Sequence, residues 1–366
     1  MTALPARHRW LLQLTDIPTA SGSEHWVVGW VDRWLSRRPD LARRADSAGN
    51  LLLTIRGRKR RPPIVATAHL DHPAFVVTDT DGRDVYAEFR GGVMAPYFEK
   101  ARVDLIDVEG SEHPATVVEY DQNTAMAKLR LDRTAPVEPK DIGRWRFPSR
   151  RLGISNGLLR AGACDDLAGV AAALTALDKA RKDPALRHFA VLLTRAEEVG
   201  FVGAIAAAKL GTIPDRAKLL SIETSRSFAD SPVGGGPIVR VGDRSTVFDS
   251  ELTNRLTEVV RAAKIPHQRK LMDGGSCEAT AFGAYGLSAT GLCLPLGNYH
   301  NMVDIDGVVA GASPGKLGPE VVSLSDYDGL VKLMLAAAAR LDTPNEGLTG
   351  RLDDLYDAQR HILRQP

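Results

Sequence analysis

This sequence of 366 residues has few cysteines, no long apolar run and nearly balanced charges. Its three cysteines lie far apart and form no Cys-x-x-Cys pair, which argues against both a disulfide framework and a zinc knuckle. No run of about eighteen apolar residues occurs, and the first residues show no signal-peptide pattern. We therefore expect a cytoplasmic protein that has no membrane partner.

The charge balance also excludes an electrostatic argument for binding nucleic acid. Lys and Arg total 47 against 45 Asp and Glu, a formal net charge of +2. One basic run, residues 58–61, lies between two predicted strands and has no aromatic residues interleaved with it. A solvated turn is the better interpretation of this run, so we expect no nucleic-acid partner.

Strands and helices alternate over most of the chain, and this pattern predicts an α/β fold. The run 64–68 is continuously apolar, as expected of a strand that is buried on both faces of a parallel sheet. We predict a mixed open sheet with helices on both faces. The predicted strands are 51–55, 64–68, 189–194, 219–222 and 290–294, and the main predicted helices are 10–14, 26–35, 167–181, 202–210 and 330–341.

Between residues 75 and 148 the pattern changes to short alternating stretches punctuated by Gly, Asp and Pro, which indicates an all-β region. We therefore predict an α/β domain made of residues 1–73 and 152–343. A small β-barrel-like domain, residues 74–151, is inserted into it. The last segment, residues 344–366, is predicted to be a helical tail. The segment 17–24 is interpreted as a loop and the cap of the second helix, with Ser21, Gly22 and Ser23 as the capping residues.

Five potential metal ligands lie just after predicted strands or at a predicted helix start. In open α/β sheets, ligands bind at the edge where the strands have their carboxyl ends. Buried carboxylates and imidazoles at one such edge would be costly without a cation to compensate them. The sequence therefore predicts a divalent metal site formed by His69, Asp165, Glu198, Glu223 and His300.

The residue types indicate which metal ions to expect. Two histidines with three carboxylates favour Zn, with Co or Mn as alternatives, over Ca and Mg, which prefer oxygen ligands. Five ligands exceed the three of a single catalytic zinc, so we expect two ions about 3.5–4 Å apart. Glu197, adjacent to Glu198, stays free in this arrangement to act as general base.

Several motifs together resemble the M42 family of metallo-aminopeptidases, within the wider clan that includes the M20 and M28 peptidases. The resemblance extends over nearly the whole chain and implies a fold of the zinc-peptidase type. The motifs are SGSE at 21–24, AGN at 48–50, HLD at 69–71, GACDDLAG at 162–169, AEEVGFVGA at 196–204, the acid of SIET at 223 and YHN at 299–301.

The resemblance assigns a role to each ligand. It implies that Asp165 bridges two ions, with His69 and Glu223 on one of them and Glu198 and His300 on the other. Two catalytic roles follow in the same way. Glu197 becomes the general base, and Asp71 hydrogen-bonds the imidazole of His69 and fixes its tautomer. The family's small domain commonly mediates assembly, so a homo-oligomer is expected.

Some positions depart from the family pattern. The family usually has Asp where Glu223 stands, and Glu where His72 follows the HLD motif. Its late acid corresponds to Glu278, with a shifted register, which would place Glu278 near the substrate. Arg226, three residues after Glu223, is a further candidate for contact with a substrate carboxylate.

These residues lead to a ranked set of functions. The first is an aminopeptidase that removes N-terminal residues from short peptides by attack of metal-bound hydroxide. Because a Glu at position 223 resembles the M20 enzymes, an M20-like carboxypeptidase or an N-acyl amino acid deacylase is the alternative. An inactive binding or assembly module is disfavoured because Glu197 and all five ligand residues are intact.

Overall fold

The computed structural model describes residues 4–57, 61–343 and 347–364. Most of the basic run at 58–61 and parts of the predicted tail, 344–346 and 365–366, lie outside the described residues. Among the described helices, none is long and apolar enough to cross a membrane. The α-helices of the described chain are α1 Ala6–Leu14, α2 His25–Leu35, α3 Leu167–Ala180, α4 Val202–Lys209, α5 Ser250–Ala262, α6 Glu278–Ala284, α7 Ile305–Val309, α8 Leu324–Arg340 and α9 Gly347–Gln359.

Within residues 74–145 the strands follow one another without an intervening α-helix, and outside that range they are interspersed with the helices. They are β1 Leu41–Ala45, β2 Leu51–Ile55, β3 Ile64–His69, β4 Ala74–Asp81, β5 Asp84–Arg90, β6 Arg102–Ile106, β7 Glu112–Asp121, β8 Met126–Leu131, β9 Ile142–Trp145, β10 Gly153–Ser155, β11 Leu158–Ala161, β12 Phe189–Thr194, β13 Lys218–Glu223, β14 Ile238–Asp243, β15 Gln268–Met272, β16 Ser288–Cys293, β17 Met302–Val303, β18 Lys316–Leu317 and β19 Glu320–Ser323.

The largest sheet has eight strands in the order β1-β2-β12-β3-β13-β16-β14-β15. Its four central strands, β12, β3, β13 and β16, are parallel, whereas β2 pairs antiparallel with β12, and β14 pairs antiparallel with β16. Every residue of β3 is buried, because helices cover both faces of the sheet. The predicted mixed α/β architecture is thus confirmed.

Each face of this sheet has its own apolar cluster. The larger cluster joins one face to α1, α2, α3, α5 and α8. The smaller cluster packs the opposite face against α4 and α6. Helix α3 is buried at almost every position, so it runs through the interior beside β3. This packing holds the loop before α3 at the carboxyl edge of the central strands.

Six strands between Ala74 and Trp145 close into a barrel in the order β4-β5-β8-β7-β6-β9. An aromatic cluster fills it, with the rings of Phe98 and Tyr120 stacked at 3.5 Å between centroids. Gly143 on β9 is required by close packing, since a Cβ there would lie 2.9 Å from Leu105. The barrel follows directly after β3, so its first strand begins beside the end of the sheet that carries His69.

Candidate metal centre

The elements of the sheet bring the five predicted ligands to one edge. His69 is the last residue of β3 and Glu223 is the last residue of β13. Glu198 follows β12, Asp165 lies just before α3, and His300 lies in a short 3-10 turn after β16. Because these central strands are parallel, their carboxyl ends meet at the same edge.

Asp165 lies between the two histidines. Its Oδ1 is 3.3 Å from Nε2 of His69, and its Oδ2 is 3.3 Å from Nε2 of His300. Glu198 is on the His300 side, with Oε1 3.3 Å from Nε2 of His300. Glu223 is on the opposite side, with Oε1 3.9 Å from Nε2 of His69. One carboxylate thus faces two groups of donors.

The donor atoms fit a cation between them. Buried polar atoms are normally hydrogen-bonded, yet here several buried atoms have no hydrogen-bond partner among the described residues. These are His69 Nε2, Asp165 Oδ1, Glu198 Oε1 and Glu223 Oε2. The donor atoms form three groups, each within 4.8 Å: His69 with Glu197 and Glu198; His69 with Asp165 and Glu223; and Asp165 with Glu198 and His300. These clusters could hold metal ions.

Protons and cations compete for this cluster. Burial lowers the pKa of His69, but the adjacent Asp165 and Asp71 outweigh it and raise that pKa well above its usual value. Burial opposes ionisation of Asp165, but His300 and His69 lower its pKa. Burial, with Asp165 nearby, raises the pKa of Glu223 to about 7. Because metal ligation requires deprotonated donors, binding of an ion here would release protons.

Asp71 fixes the positions of three groups around the cluster. Its carboxylate accepts hydrogen bonds from the backbone N–H of Glu197 at 3.0 Å and of Glu198 at 3.1 Å. Nδ1 of His69 lies 3.1 Å from the Asp71 carbonyl oxygen and 3.4 Å from its Oδ1. With its proton on Nδ1, His69 directs the lone pair of Nε2 toward the cluster.

The SGSE segment has a different role from the predicted helix cap. Helix α2 has Glu24 at its N-cap and no side-chain cap hydrogen bond, so that expectation is wrong. Ser21 instead donates to Asp71 at 2.6 Å. The buried Glu24 accepts from the backbone of Ala196 and pairs with Arg195 at 2.6 Å. The segment therefore holds the loop that carries Glu197, because both Asp71 and Glu24 bind that loop.

Glu197 is buried beside the cluster, with its Oε2 4.0 Å from Nε2 of His69. Burial and the proximity of Glu223 raise its pKa well above the usual value. The structure thus places one carboxylate of the 197–198 pair against His300 and the other beside His69.

The loop after β5 contributes a backbone group to the site. Nδ1 of His300 lies 2.7 Å from the carbonyl oxygen of Gly92, so it donates to that oxygen and leaves Nε2 free. His300 has left-handed backbone angles, φ 53° and ψ 34°, which a non-glycine residue keeps only where its surroundings hold it. Its backbone N–H donates to Glu320 at 2.9 Å.

Glu320 is a buried residue that the sequence did not single out. Its carboxylate also accepts from the backbone N–H of Cys164 at 2.6 Å and of Asp165 at 3.1 Å. It therefore joins the loop before α3 to the His300 turn. His72 contacts the same loop, with Nδ1 2.6 Å from the carbonyl oxygen of Asp165. Glu320 begins the short strand β19, and no local sequence pattern indicated this backbone-binding role.

The two predicted substrate residues lie apart from the ligand cluster. Glu278 is fully buried at the start of α6, where it accepts a hydrogen bond from Thr67 at 3.3 Å. Burial raises the pKa of Glu278 to about 7. Arg226 forms an ion pair with Asp306 and lies over the ring of Phe228. Neither side chain belongs to the three donor groups.

Comparison with known proteins agrees with this geometry. The model of the family described as M42 glutamyl aminopeptidase matches residues 49–312. The chain belongs to the M42 peptidase family. It is therefore an enzyme, a peptidase, and its clusters of acidic and histidine residues suit the metal dependence of that family.

Similar proteins extend the likeness to nearly the full length of this M42 peptidase. A candidate aminopeptidase of Acetivibrio thermocellus is 24% identical over 342 residues, which cover 89% of this chain and 97% of that protein. A TET aminopeptidase from a marine sediment Thaumarchaeota archaeon aligns with a TM-score of 0.76 at 20% identity, covering 92% of this chain and 98% of its own.

A second solved structure is the TET1 peptidase of Pyrococcus horikoshii, which can assemble into a tetrahedron or a large octahedral shell. It aligns with a TM-score of 0.73 at 20% identity, and the alignment covers 92% of this chain and all of that chain. At this level of identity the likeness establishes the fold of the M42 peptidase described here.

Proposed function

We propose that this M42 peptidase is a two-metal aminopeptidase that removes N-terminal residues from short peptides. The observation that carries the proposal is the position of Asp165, which presents one oxygen at 3.3 Å to each of two histidines. Such a carboxylate suits a bridge between two ions, with His69 and Glu223 on one side and Glu198 and His300 on the other. Zinc fits this ligand set, and cobalt or manganese are alternatives.

Bound ions of this kind polarise a scissile carbonyl and lower the pKa of water. The side chains of the chain supply the remaining steps. Glu197, buried beside His69, removes a proton from the attacking water and transfers it to the leaving amine. Asp71 acts through others, because it holds His69 and the backbone of Glu197 and Glu198 in place.

The nature of residue 223 makes a second candidate function worth testing. Glu223 stands where Asp is usual in the family, and a carboxypeptidase or N-acyl amino acid deacylase would use the same ligands. The family match and the aminopeptidase relatives support cleavage at the N-terminus instead. Hydrolysis of aminoacyl p-nitroanilides compared with N-acyl amino acids separates the two.

The deciding variant is Glu197→Gln in the metal-loaded enzyme. We expect unchanged metal content and a fall in kcat of about 10²–10⁴-fold, the usual contribution of a general base. Glu99→Gln, at an exposed position in the barrel region, is the matched control and is expected to keep full activity. Near-normal turnover by Glu197→Gln would remove Glu197 from the mechanism. Hydrolysis restricted to N-acyl substrates would favour the second function.

We also propose a domain organisation and an assembly. The barrel is assigned to an inserted domain of residues 74–151, within a discontinuous catalytic domain of residues 1–73 and 152–343, and residues 344–366 form the tail. The TET1 peptidase, which can assemble into a tetrahedron or a large octahedral shell, supports a homo-oligomer. Sedimentation of the purified chain measures this directly, and a stable monomer at micromolar concentration would contradict it.

A further inference from the structure

A concave, positively charged pocket lies on the side of strand β19 opposite Glu320, the residue that binds the backbone of Asp165 and His300. It has a volume of about 490 Å³, is open to solvent, and is formed by the segment 150–155, strand β11, the β17–β18 hairpin and strand β19. We call it the rear pocket. Ligand pockets for small molecules commonly measure roughly 300–1,000 Å³, so its volume suits a small molecule.

The rear pocket is lined by cations without any carboxylate. Its four charged lining residues are Arg150, Arg151, Arg160 and Lys316. Within the described part of the chain, the side chains of Arg150, Arg151 and Lys316 make no hydrogen bond or ion pair, and that of Arg160 donates only to Ser155, another lining residue. Many other arginines of this chain pair with carboxylates, as Arg38 does with Asp178. Like charges that converge without a counter-ion favour an anion between them.

The register of β11 and β19 places the pocket opposite the metal centre. Arg160 pairs across the strands with Val321, and both line the pocket. Neighbouring residues on a strand point to opposite faces, so Glu320 points to the other side. There it accepts from the backbone of Asp165 and His300. The pocket and the metal centre therefore share one strand but not one cavity.

The hairpin that carries Lys316 is also connected to the His300 turn. Its strand β18 pairs with β17, which begins two residues after His300. The backbone N–H of Gly318, a lining residue, donates to the carbonyl oxygen of Asn301 at 2.9 Å. An anion between Lys316 and Arg160 would thus link this hairpin to β11.

We propose that the rear pocket binds a small, multiply charged anion, either phosphorylated or polycarboxylic, one per chain. Several cations that line one pocket recognise this chemistry through charge-assisted hydrogen bonds. The pocket has no aromatic lining residue on which bases could stack, which disfavours single-stranded nucleic acid as its ligand. The inference does not depend on the proposed function.

Isothermal titration of the metal-loaded full chain tests the proposal. Glucose 1,6-bisphosphate and tricarballylate serve as probes, because one carries phosphates and the other only carboxylates. We expect saturable binding of at least one probe, and the better probe identifies the anion class. Binding should weaken as salt rises, since ions screen exposed charges.

The variant Arg151→Gln/Lys316→Gln should weaken this binding by at least about tenfold, because two charged contacts are lost. The control Arg133→Gln/Lys264→Gln removes the same charge from two exposed positions outside the pocket and should alter affinity less than about twofold.

Three results would overturn the proposal. These are no saturable binding by either probe up to about 10 mM, equal weakening in both variants, or binding that is lost with the metal but kept in the pocket variant.

Discussion

Asp71 shows how one side chain can determine the geometry of several others. Its carboxylate receives hydrogen bonds from Ser21 and from the backbone of Glu197 and Glu198, and it lies beside the ring of His69. An amide in its place keeps one acceptor oxygen and turns an NH₂ group toward another donor. A carboxylate is therefore needed at this position.

We expect Asp71→Asn to lower metal affinity or kcat by about 10–100-fold, the usual effect of losing a residue that orients metal ligands. Metal titration and steady-state kinetics on the same preparation measure both quantities. Ser21→Ala removes only one donor to Asp71 and should have a smaller effect in both assays. Wild-type metal affinity and turnover in Asp71→Asn would show that Asp71 does not position the site.

The titration of the buried carboxyl group of Glu278 should make the free energy of unfolding depend on pH. Burial raises its pKa from 4.5 to about 7 in the folded protein. The folded state therefore favours the neutral form of Glu278. This preference stabilises the folded protein fully below pH 4.5, and the stabilisation is lost as the pH rises through about 7. The metal-free wild-type protein should lose stability over this interval because of Glu278.

Glu278→Gln removes the titration, so the metal-free variant should gain stability relative to wild type between pH 5 and pH 8. The gain is at most about 3 kcal/mol for a pKa difference of this size. Denaturant unfolding at the two pH values measures it, with the exposed Glu251→Gln as control. A difference between variant and wild type that is the same at both pH values would contradict the expected titration.

At the scale of the elements, the central strands could be predicted from sequence because burial on both faces makes them continuously apolar. Strands β2 and β12 match their predicted bounds, and β3 is one residue longer than predicted because it includes His69. Ligands at strand ends follow from the same pattern, since parallel strands share an edge. The sequence therefore predicted which side chains would meet, although the distances between them needed the structure.

Other elements were missed for identifiable reasons. Strand β15 alternates between partly buried and exposed positions at the edge of the sheet, so it has little apolar signal. Helix α5 did carry a signal, because its buried residues Leu252, Leu256 and Val259 follow helical spacing. The role of Glu320 depends on backbone groups distant in sequence, and no local pattern records such contacts.

The last helix makes little contact with the rest of the fold. Helix α9 has no buried residue, and its apolar residues Leu348, Leu352 and Leu355 are exposed. Truncation after Thr343 should therefore change the melting temperature of the metal-loaded enzyme by less than about 2 °C, as for other exposed changes. Differential scanning calorimetry measures this shift, and a loss of more than about 5 °C would contradict the expectation.

At the scale of the whole molecule, the site depends on parts of the chain that are far apart in sequence. The sheet supplies His69 and Glu223, and the loop before α3 supplies Asp165. The loop after the barrel strand β5 holds the ring of His300 through the carbonyl of Gly92. Barrel and sheet therefore both take part in shaping the same centre, and only the complete fold brings the donors together.

The metal content of the purified chain tests the central claim most directly. Elemental analysis by mass spectrometry should find two divalent ions per chain, mainly zinc, and clearly less than two in Asp165→Ala, because Asp165 faces both histidines. Peptidase activity should be lost when the ions are removed by a chelator and restored when they are returned. Full activity in a chain that holds no stoichiometric metal would contradict the account.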